Sequence, residues 1–393
     1  MMNLRNLGAV ALPYRIAGGF ILARALIALV DTIPFHDGDI EALYYLQAQS
    51  GGAQSYSVFF PVRYWPYRFT VLMFGAHLGT MRLLSVCAFA AGAYLASRIG
   101  VELVGEKKGR WGAVLFASNP WAFVYMGRIM PEPWLMLGVL GCVYTAMRGK
   151  GLWAWPFFFA LAVFSKSVGI LAISSLVFLD KRRVKYAFVL SAFLVMGALF
   201  AWPMVTFAYQ KFMARGSIEV PYDLFNVLTV SLGIGAAGAA WFGLAHENWR
   251  GWVVMAPWGA YLVWDARLNH AYYALPLIGL LAVFSVIWLS RHYRDRIMIT
   301  IVSGFFVCVA VIFAGDGIDN RVRVIDSLPD GVEVSTSKQL AKRLAPFAGD
   351  RRLITDGTAQ EYGIEETVPD GCNVLGSRSY FGKELFGFRC LNV

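Results

Sequence analysis

The feature that most constrains this chain is a succession of long apolar segments separated by short polar loops. Hydrophobic residues make up 58% of the sequence and charged residues only 15%, and the mean hydropathy is +0.55. Soluble domains carry about 25% charged residues, so this composition predicts an all-α polytopic membrane protein. We expect about eleven transmembrane helices. Their approximate ranges are 8–30, 80–104, 111–127, 134–147, 152–164, 168–179, 186–205, 224–244, 251–264, 272–290 and 297–314.

The basic residues between these segments predict how the chain crosses the membrane. They fall in alternate loops, which is typical of loops on the cytoplasmic side. These residues are Lys107, Lys108 and Arg110, Arg148 and Lys150, Lys181, Arg182, Arg183 and Lys185, Arg250, and Arg291, Arg294 and Arg296. We therefore expect a cytoplasmic N-terminus and an extracytoplasmic C-terminus. The net charge of +10 is spread over these loops and does not form a nucleic-acid surface, so no nucleic-acid partner is expected.

Segment 151–180 is unusual because basic residues flank both of its ends. The chain must then cross and return within it, on two arms of about 18 Å each, which is shorter than the hydrocarbon core of about 30 Å. Lys166 would lie at the tip of this short hairpin. The alternative is one long tilted helix, which would reverse the orientation of everything that follows and destroy the charge pattern. The sequence therefore favours the hairpin.

The sequence is mostly apolar up to residue 315 and polar after it, which divides the chain into two regions. Residues 1–315 form the predicted transmembrane domain, and residues 316–393 are polar and predict a small extracytoplasmic α/β domain. The expected elements of the small domain are a strand at 322–325, a helix near 336–346 capped by Ser335 or Ser337, and a strand at 352–355. Cys372 and Cys390 also lie there and could pair in an oxidising compartment.

Three carboxylates lie in the first outer loop, which covers residues 31–79. They are Asp37, Asp39 and Glu41. Charged groups beside a bilayer are costly unless they are solvated, paired or functional. The cluster is therefore either a solvated acidic loop or part of a functional site. Two amphipathic pieces are expected in the same loop, a short helix at 40–48 and an aromatic stretch at 59–69.

A second set of charges on the predicted outer side is not explained by topology. These residues are Arg24, Arg63, Arg68, Arg82, Arg128, Lys166 and Arg267. Each of them alone could extend to the lipid headgroups. Taken together with the first-loop carboxylates, they would suit a lipid phosphate or pyrophosphate, because Arg and Lys bind anionic oxygens strongly in a low dielectric. A carboxylate beside such a phosphate could accept the proton of an attacking hydroxyl or amine.

Several short motifs occur in order along the part of the chain from about residue 10 to 290. They are Asp37 and Asp39, Tyr44-Tyr45, Phe59-Phe60-Pro61, Ser118-Asn119-Pro120, Arg128 with Glu132, Phe164-Ser165-Lys166, and His270-Ala271-Tyr272-Tyr273 followed by Leu275-Pro276. In this order and on one side of the membrane, they resemble the GT-C superfamily of membrane glycosyltransferases. Within it, the pattern is most similar to the protein O-mannosyltransferase, aminoarabinose transferase and GPI-mannosyltransferase-like groups.

This resemblance implies a specific reaction. The donor would be a polyprenyl-phosphate sugar, transferred with inversion at the anomeric carbon to a lipid, glycan or protein acceptor. Transfer would take place on the outer face of a bacterial plasma (inner) membrane. The catalytic base would be Asp39 or, as the alternative, Asp37, with Glu41 in the same cluster. The first-loop carboxylates could also bind a divalent cation together with water and phosphate oxygens.

The resemblance also assigns residues around the reacting groups. The donor phosphate would be held by Lys166, Arg128, Arg63 and Arg267. The cavity would be lined by Glu132, His270, Tyr273 and Tyr44.

Two other classes of protein share the general pattern. A transporter or lipid flippase would also have many spans and intramembrane charge, but such proteins often show paired halves, and no internal symmetry is visible here. A polysaccharide polymerase or ligase usually has a very large outer loop late in the chain. Here the notable loop is the first one, which favours the glycosyltransferase.

Overall fold

The computed structural model describes most of the helical region and part of the C-terminal region. The described residues are 4–29, 45, 48, 65–75, 77–149, 153–179, 249–265, 275–287, 325, 327–337, 344, 351–355, 361–365, 368–369, 371–380 and 383–390. Their α-helices are α1 (Leu4–Leu29), α2 (Trp65–Phe74), α3 (Leu78–Val104), α4 (Glu106–Gly109), α5 (Trp111–Ala117), α6 (Pro120–Tyr125), α7 (Glu132–Arg148), α8 (Ala154–Ser165), α9 (Trp249–Asp265) and α10 (Leu275–Phe284). The predicted spans at 186–205, 224–244 and 297–314 lie outside the described residues.

Two helices in the described ranges are long and apolar enough to cross a membrane. They are the stretch Leu12–Leu29 of α1 and the whole of α3. The two helices pack against each other, and a hydrogen bond of 2.8 Å between the Tyr14 hydroxyl and the Ser97 hydroxyl joins them. The predicted number of about eleven spans stays a prediction.

The predicted span at 111–127 is in fact two short helices, α5 and α6. The break lies at Ser118-Asn119, just before Pro120. The Asn119 side-chain oxygen accepts a hydrogen bond of 3.1 Å from the backbone N–H of Ala122, which is the usual role of an N-cap residue. Pro120 occupies the first position of α6, where its missing N–H costs nothing. The sequence prediction was wrong here because a capped restart interrupts an otherwise continuous apolar run.

The hairpin predicted at 151–180 is confirmed. Helix α8 is followed by Lys166 in an extended conformation and then by a 3-10 helix, Ser167–Phe178, that packs back on α8. Far from the tip, the Trp155 ring N–H donates to the Ser175 hydroxyl at 3.0 Å. Near the tip, a side chain at Gly169 would overlap the backbone carbonyl of Ala162. A 3-10 helix rises about 2.0 Å per residue, so the second arm is longer than predicted, at about 24 Å.

The C-terminal region contains a mixed five-stranded sheet. Its strands are β1 (Glu333–Thr336), β2 (Arg352–Ile354), β3 (Tyr362–Glu365), β4 (Cys372–Tyr380) and β5 (Lys383–Cys390). The strand order is β2-β1-β3-β5-β4, with β1 parallel to both β2 and β3 and the other pairs antiparallel. A small apolar core packs on it, formed by Ile325, Leu328, Val334, Leu344 and Ile364.

The sequence predictions for this region are partly right. The strand at 352–355 is confirmed as β2, and Leu344 is helical as expected. Ile325 is helical, so the strand predicted at 322–325 was wrong at that residue. A short buried apolar run does not distinguish helix from strand. Ser335 lies within β1, so it is not the helix cap, because β1 pairs with strands on both of its sides.

Cys372 and Cys390 form a disulfide that joins β4 and β5. The two residues are direct partners in the antiparallel register, with 4.2 Å between their Cα atoms. Among the described residues, Cys87 and Cys142 are free thiols. Disulfides persist in oxidising compartments, and the outer location of the C-terminal region stays a prediction.

We expect protein isolated from membranes to contain this disulfide. In denaturant without reductant, an alkylating reagent should modify Cys87 and Cys142, and it should modify Cys372 and Cys390 only after reduction. Peptide mass spectrometry reads all four sites, and the two free thiols serve as the internal control. Full alkylation of Cys372 and Cys390 before reduction would contradict the pairing.

Candidate active site

A buried ion pair joins the tip of the hairpin to the beginning of α7. The Lys166 ammonium lies 2.8 Å from a carboxylate oxygen of Glu132. The Lys166 side chain is 14% exposed and the Glu132 side chain only 2%. Two residues that the sequence predicted for one outer site are therefore in direct contact.

Close packing of α7 against α8 brings these two charges together. The two helices run antiparallel, and small residues allow them to approach: a Cβ atom at Gly138 would lie 2.6 Å from the backbone nitrogen of Ala162. One turn further along α7, a side chain at Gly141 would overlap the ring of Phe158. Small residues at such contacts are typical of helix pairs in membranes. The contacts of Gly138 and Gly141 with α8 determine where the hairpin tip lies along the axis of α7, which is beside its first residue.

The position of Glu132 in α7 favours a negative charge. It is the first residue of the helix, where the unpaired backbone N–H groups and the helix dipole stabilise an anion. Its second carboxylate oxygen, Oε2, is buried and makes no hydrogen bond within the part of the chain that the structure describes. Lys166 has three N–H donors, so it can hold Glu132 and an oxygen of a bound anion at the same time.

Arg128 lies in the bend between α6 and α7, four residues before Glu132. It is among the largest fully buried side chains in the described residues, at 1% exposure. The Arg128 guanidinium is thus enclosed by protein atoms. A buried cation is expected where an anion is to be bound out of water.

The backbone of this bend is held by a buried hydroxyl network centred on Tyr67 of α2. The Tyr67 hydroxyl lies 2.8 Å from the Ser85 hydroxyl and donates to the carbonyl oxygen of Met130 at 2.8 Å. It also accepts hydrogen bonds from the Met130 N–H at 3.2 Å and from the Trp134 ring N–H at 3.1 Å. The Ser85 hydroxyl in turn donates to the carbonyl oxygen of Arg128 at 2.6 Å. Backbone groups of both neighbours of Ile129 are therefore fixed by side chains.

The Tyr67 hydroxyl remains neutral in this network. Burial raises the pKa of Tyr67 well above its usual range, and the charge of Glu132 raises it slightly further. The hydrogen bonds that the Tyr67 hydroxyl accepts from the Trp134 ring N–H and the Met130 N–H oppose the rise without cancelling it. Tyr67 therefore acts as a neutral hydrogen-bonding group at physiological pH.

Described residues of the first outer loop pack beside Tyr67 and the bend that carries Arg128. Tyr45 and Ala48 are helical and buried in one apolar cluster with Tyr67 and Ile129. The Arg68 guanidinium donates to the Ala48 carbonyl at 3.2 Å. Tyr45 and Ala48 agree with the predicted helix at 40–48. Helix α2 overlaps the predicted aromatic stretch at 59–69 in residues 65–69, and residues 59–64 lie outside the described residues. Tyr45 and Ala48 are thus packed in the same cluster as Ile129 of the bend that carries Arg128.

Arg24 has a structural role that the sequence did not predict. Its guanidinium donates to the carbonyl oxygen of Gly127 at 2.7 Å and lies 3.4 Å from that of Val124. A side chain at Gly127 would overlap this guanidinium. Arg24 therefore caps the end of α6 and supports the bend from the other side.

Arg82 is also buried, at 5% exposure.

The structure brings together only part of the predicted site. Lys166 and Glu132 are in contact, and Arg128 lies in the adjoining bend. The other predicted site residues lie outside the described residues: Asp37, Asp39, Glu41, Tyr44, Arg63, Arg267, His270 and Tyr273. Within the described ranges, no group of three His, Cys, Asp or Glu side chains is arranged to hold a metal ion.

Sequence reasoning missed Tyr67, Ser85 and Trp134. Each looks ordinary in an apolar or aromatic segment, where aromatic residues are expected at the membrane interface. A weak signal was available, since Ser85 places a hydroxyl inside a long apolar helix where it must find a partner. The partner itself could not be identified without the fold.

The chain was compared with known proteins by sequence and by structure, and the structural comparison found a similar fold. Neither a protein-family model nor a curated protein sequence matches this chain. Its structure is similar to the crystal structure of ArnT from Cupriavidus metallidurans bound to undecaprenyl phosphate. The TM-score is 0.58 at 12% sequence identity, and the match covers 98% of each chain. At this identity the similarity concerns the fold.

We expect the ion pair to matter for stability in a specific way. The substitution Lys166→Met keeps the apolar stem and removes the charge, which leaves the Glu132 carboxylate buried without this partner, a loss of about 3–5 kcal/mol. Adding Glu132→Gln removes the remaining charge and should restore most of the free energy of unfolding. Thermal unfolding in lipid nanodiscs compares the wild type and both variants. A double variant no more stable than Lys166→Met would contradict this account of the pair.

Proposed function

We propose that this chain, whose fold is similar to that of ArnT, is a membrane glycosyltransferase of the GT-C superfamily. It transfers a sugar from a polyprenyl-phosphate donor to an acceptor on the extracytoplasmic face of the membrane. The observation that carries the proposal is the buried contact of Lys166 with Glu132, beside the bend that holds the buried Arg128. Buried cations on the predicted outer side suit an anionic headgroup drawn partly out of water.

The cations act on the leaving group. In the transfer step the acceptor oxygen or nitrogen bonds to the anomeric carbon while the bond from that carbon to the phosphate oxygen breaks. The bonding electrons leave with the polyprenyl phosphate, whose negative charge therefore increases. Lys166 and Arg128 would stabilise this charge, and their effect is larger in a low dielectric than in water. Attack from the opposite side of the sugar inverts the anomeric configuration.

A first-loop carboxylate accepts the acceptor's proton. We propose Asp39 as the base, with Asp37 as the alternative. Asp39 precedes Tyr45 by six residues, so it lies at most about 22 Å from it, and about 9 Å if the intervening segment is helical. Tyr45 is buried in the same apolar cluster as Ile129 of the bend. This anchoring supports one site that contains both the base and the cations.

The remaining candidate residues keep the roles that the sequence assigns to them. The donor phosphate is also held by Arg63 and Arg267, and Glu41 belongs to the catalytic carboxylate cluster with Asp37 and Asp39. The cavity is lined by Tyr44, Glu132, His270 and Tyr273. The protein would lie in a bacterial plasma membrane with its C-terminal region on the extracytoplasmic side. The disulfide between β4 and β5 supports this orientation, since disulfides persist in oxidising compartments. The small sheet carries none of the proposed catalytic residues.

Turnover of lipid-linked sugar tests the proposal. Purified protein in nanodiscs is supplied with a bacterial lipid extract that contains polyprenyl-phosphate sugars and with cell-envelope acceptors, and the released undecaprenyl phosphate is quantified by mass spectrometry. Asp39→Asn should lower the rate by about 10²–10⁴-fold, the usual contribution of a general base. Lys166→Met/Glu132→Gln should also lower it, because the leaving group loses a cation.

Asp330→Asn is the matched control for this experiment. Asp330 is a 79% exposed carboxylate that pairs with Arg351 in the C-terminal region, so its removal should leave turnover unchanged. Normal rates in Asp39→Asn, in Asp37→Asn and in the double variant would rule out the proposed base. Absence of any release by the wild type would count against the glycosyltransferase itself.

A further inference from the structure

From the hydroxyl network we infer that Tyr67 is a positioning residue that sets the place of Arg128 in the donor-phosphate site and couples it to the first outer loop. This inference rests on the proposed function, since it concerns how the same site is held. Tyr67 does not touch the reacting atoms in this account. It acts through the bend at 127–131.

The geometry assigns Tyr67 this role because its hydroxyl uses its hydrogen-bonding capacity on the bend and on the first turn of α7. A phenol donates one hydrogen bond and accepts two. Tyr67 accepts from the Met130 N–H and the Trp134 ring N–H, and it donates to the Met130 carbonyl. Together with Ser85, which donates to the Arg128 carbonyl, it fixes the backbone on both sides of Ile129. The direction in which the Arg128 side chain leaves the backbone is thereby fixed.

The network also joins three separate parts of the chain. Tyr67 comes from α2 in the first outer loop, Ser85 from α3, and Trp134 from the first turn of α7. Tyr67 is 0% exposed, and the apolar cluster around its ring contains Tyr45, Ile129 and Met81. Tyr67 therefore links the first outer loop to the bend that carries Arg128. In this proposal the neutral Tyr67 hydroxyl keeps the Arg128 guanidinium in a fixed position relative to the first outer loop, which carries the proposed base Asp39.

The chain offers a matched control in a second Tyr–Ser pair. Tyr14 and Ser97 form a buried or half-buried hydroxyl pair at 2.8 Å, the same distance as in Tyr67 and Ser85. Both serines are on α3 and both are 0% exposed. They are twelve residues apart, which is about 18 Å along the helix. The control pair thus consists of the same two residue types, with its serine on the same helix and away from the bend.

Binding of undecaprenyl phosphate to full-length protein in nanodiscs tests the inference. Tyr67→Phe should weaken binding about tenfold and Ser85→Ala by about threefold or more, because several buried hydrogen bonds to the bend are lost. Tyr14→Phe and Ser97→Ala should leave the dissociation constant unchanged. If Tyr67→Phe does not fold, the comparison of Ser85→Ala with Ser97→Ala decides the matter.

A double-mutant cycle separates positioning from a general loss of stability. In an Arg128→Met background, Tyr67→Phe should weaken binding by no more than about twofold, since the residue through which it acts is gone. Equal effects in both backgrounds, or equal effects of Tyr67→Phe and Tyr14→Phe, would overturn the inference. A wild type that shows no saturable binding of undecaprenyl phosphate would instead overturn the proposed function and the inference with it.

Discussion

The contact between Lys166 and Glu132 is the interaction on which the rest of the proposed site depends. Two opposite charges are placed where water is largely excluded, 2.8 Å apart and at the ends of different elements. Removing two charges from water costs several kcal/mol for each ion, and their attraction repays that cost only in good geometry. The close packing of α7 on α8 through Gly138 and Gly141 provides this geometry. Because the ion pair adds little net stability, a role in binding an anion explains the burial of Lys166 and Glu132 better than a role in stabilising the fold.

The parts of the site are held by different physical means. The hairpin is held by backbone contact at Gly169 and by the hydrogen bond from Trp155 to Ser175. The bend that carries Arg128 is held by hydroxyl and guanidinium groups from three other helices. Buried hydrogen bonds of this kind are directional, so they fix orientation more closely than apolar packing does. The polar groups determine the direction of the charges, and the apolar clusters determine which helices meet.

The sequence grouped Lys166, Glu132 and Arg128 in one site, and the structure places Lys166 against Glu132 beside the bend that carries Arg128; the other predicted site residues lie outside the described residues. The limits of the prediction have physical causes. The short hairpin followed from the basic residues at both of its ends, and the contact of Lys166 with Glu132 agrees with the side assigned to them. Charge at a membrane is costly, so its location is informative. The Tyr67 network could not be predicted, because a buried hydroxyl finds its partner through tertiary contact. The helical state of Ile325 was missed since a short apolar run fits helix and strand equally.

The most direct test of the central claim is a structure of the wild-type protein with undecaprenyl phosphate in a nanodisc, determined by electron cryomicroscopy. We expect a phosphate oxygen within about 3 Å of the Lys166 ammonium, as in other charge-assisted hydrogen bonds. The Arg128 guanidinium should face the same phosphate. A phosphate bound elsewhere, with Lys166 and Glu132 in unchanged contact, would contradict the claim that this ion pair belongs to the donor site.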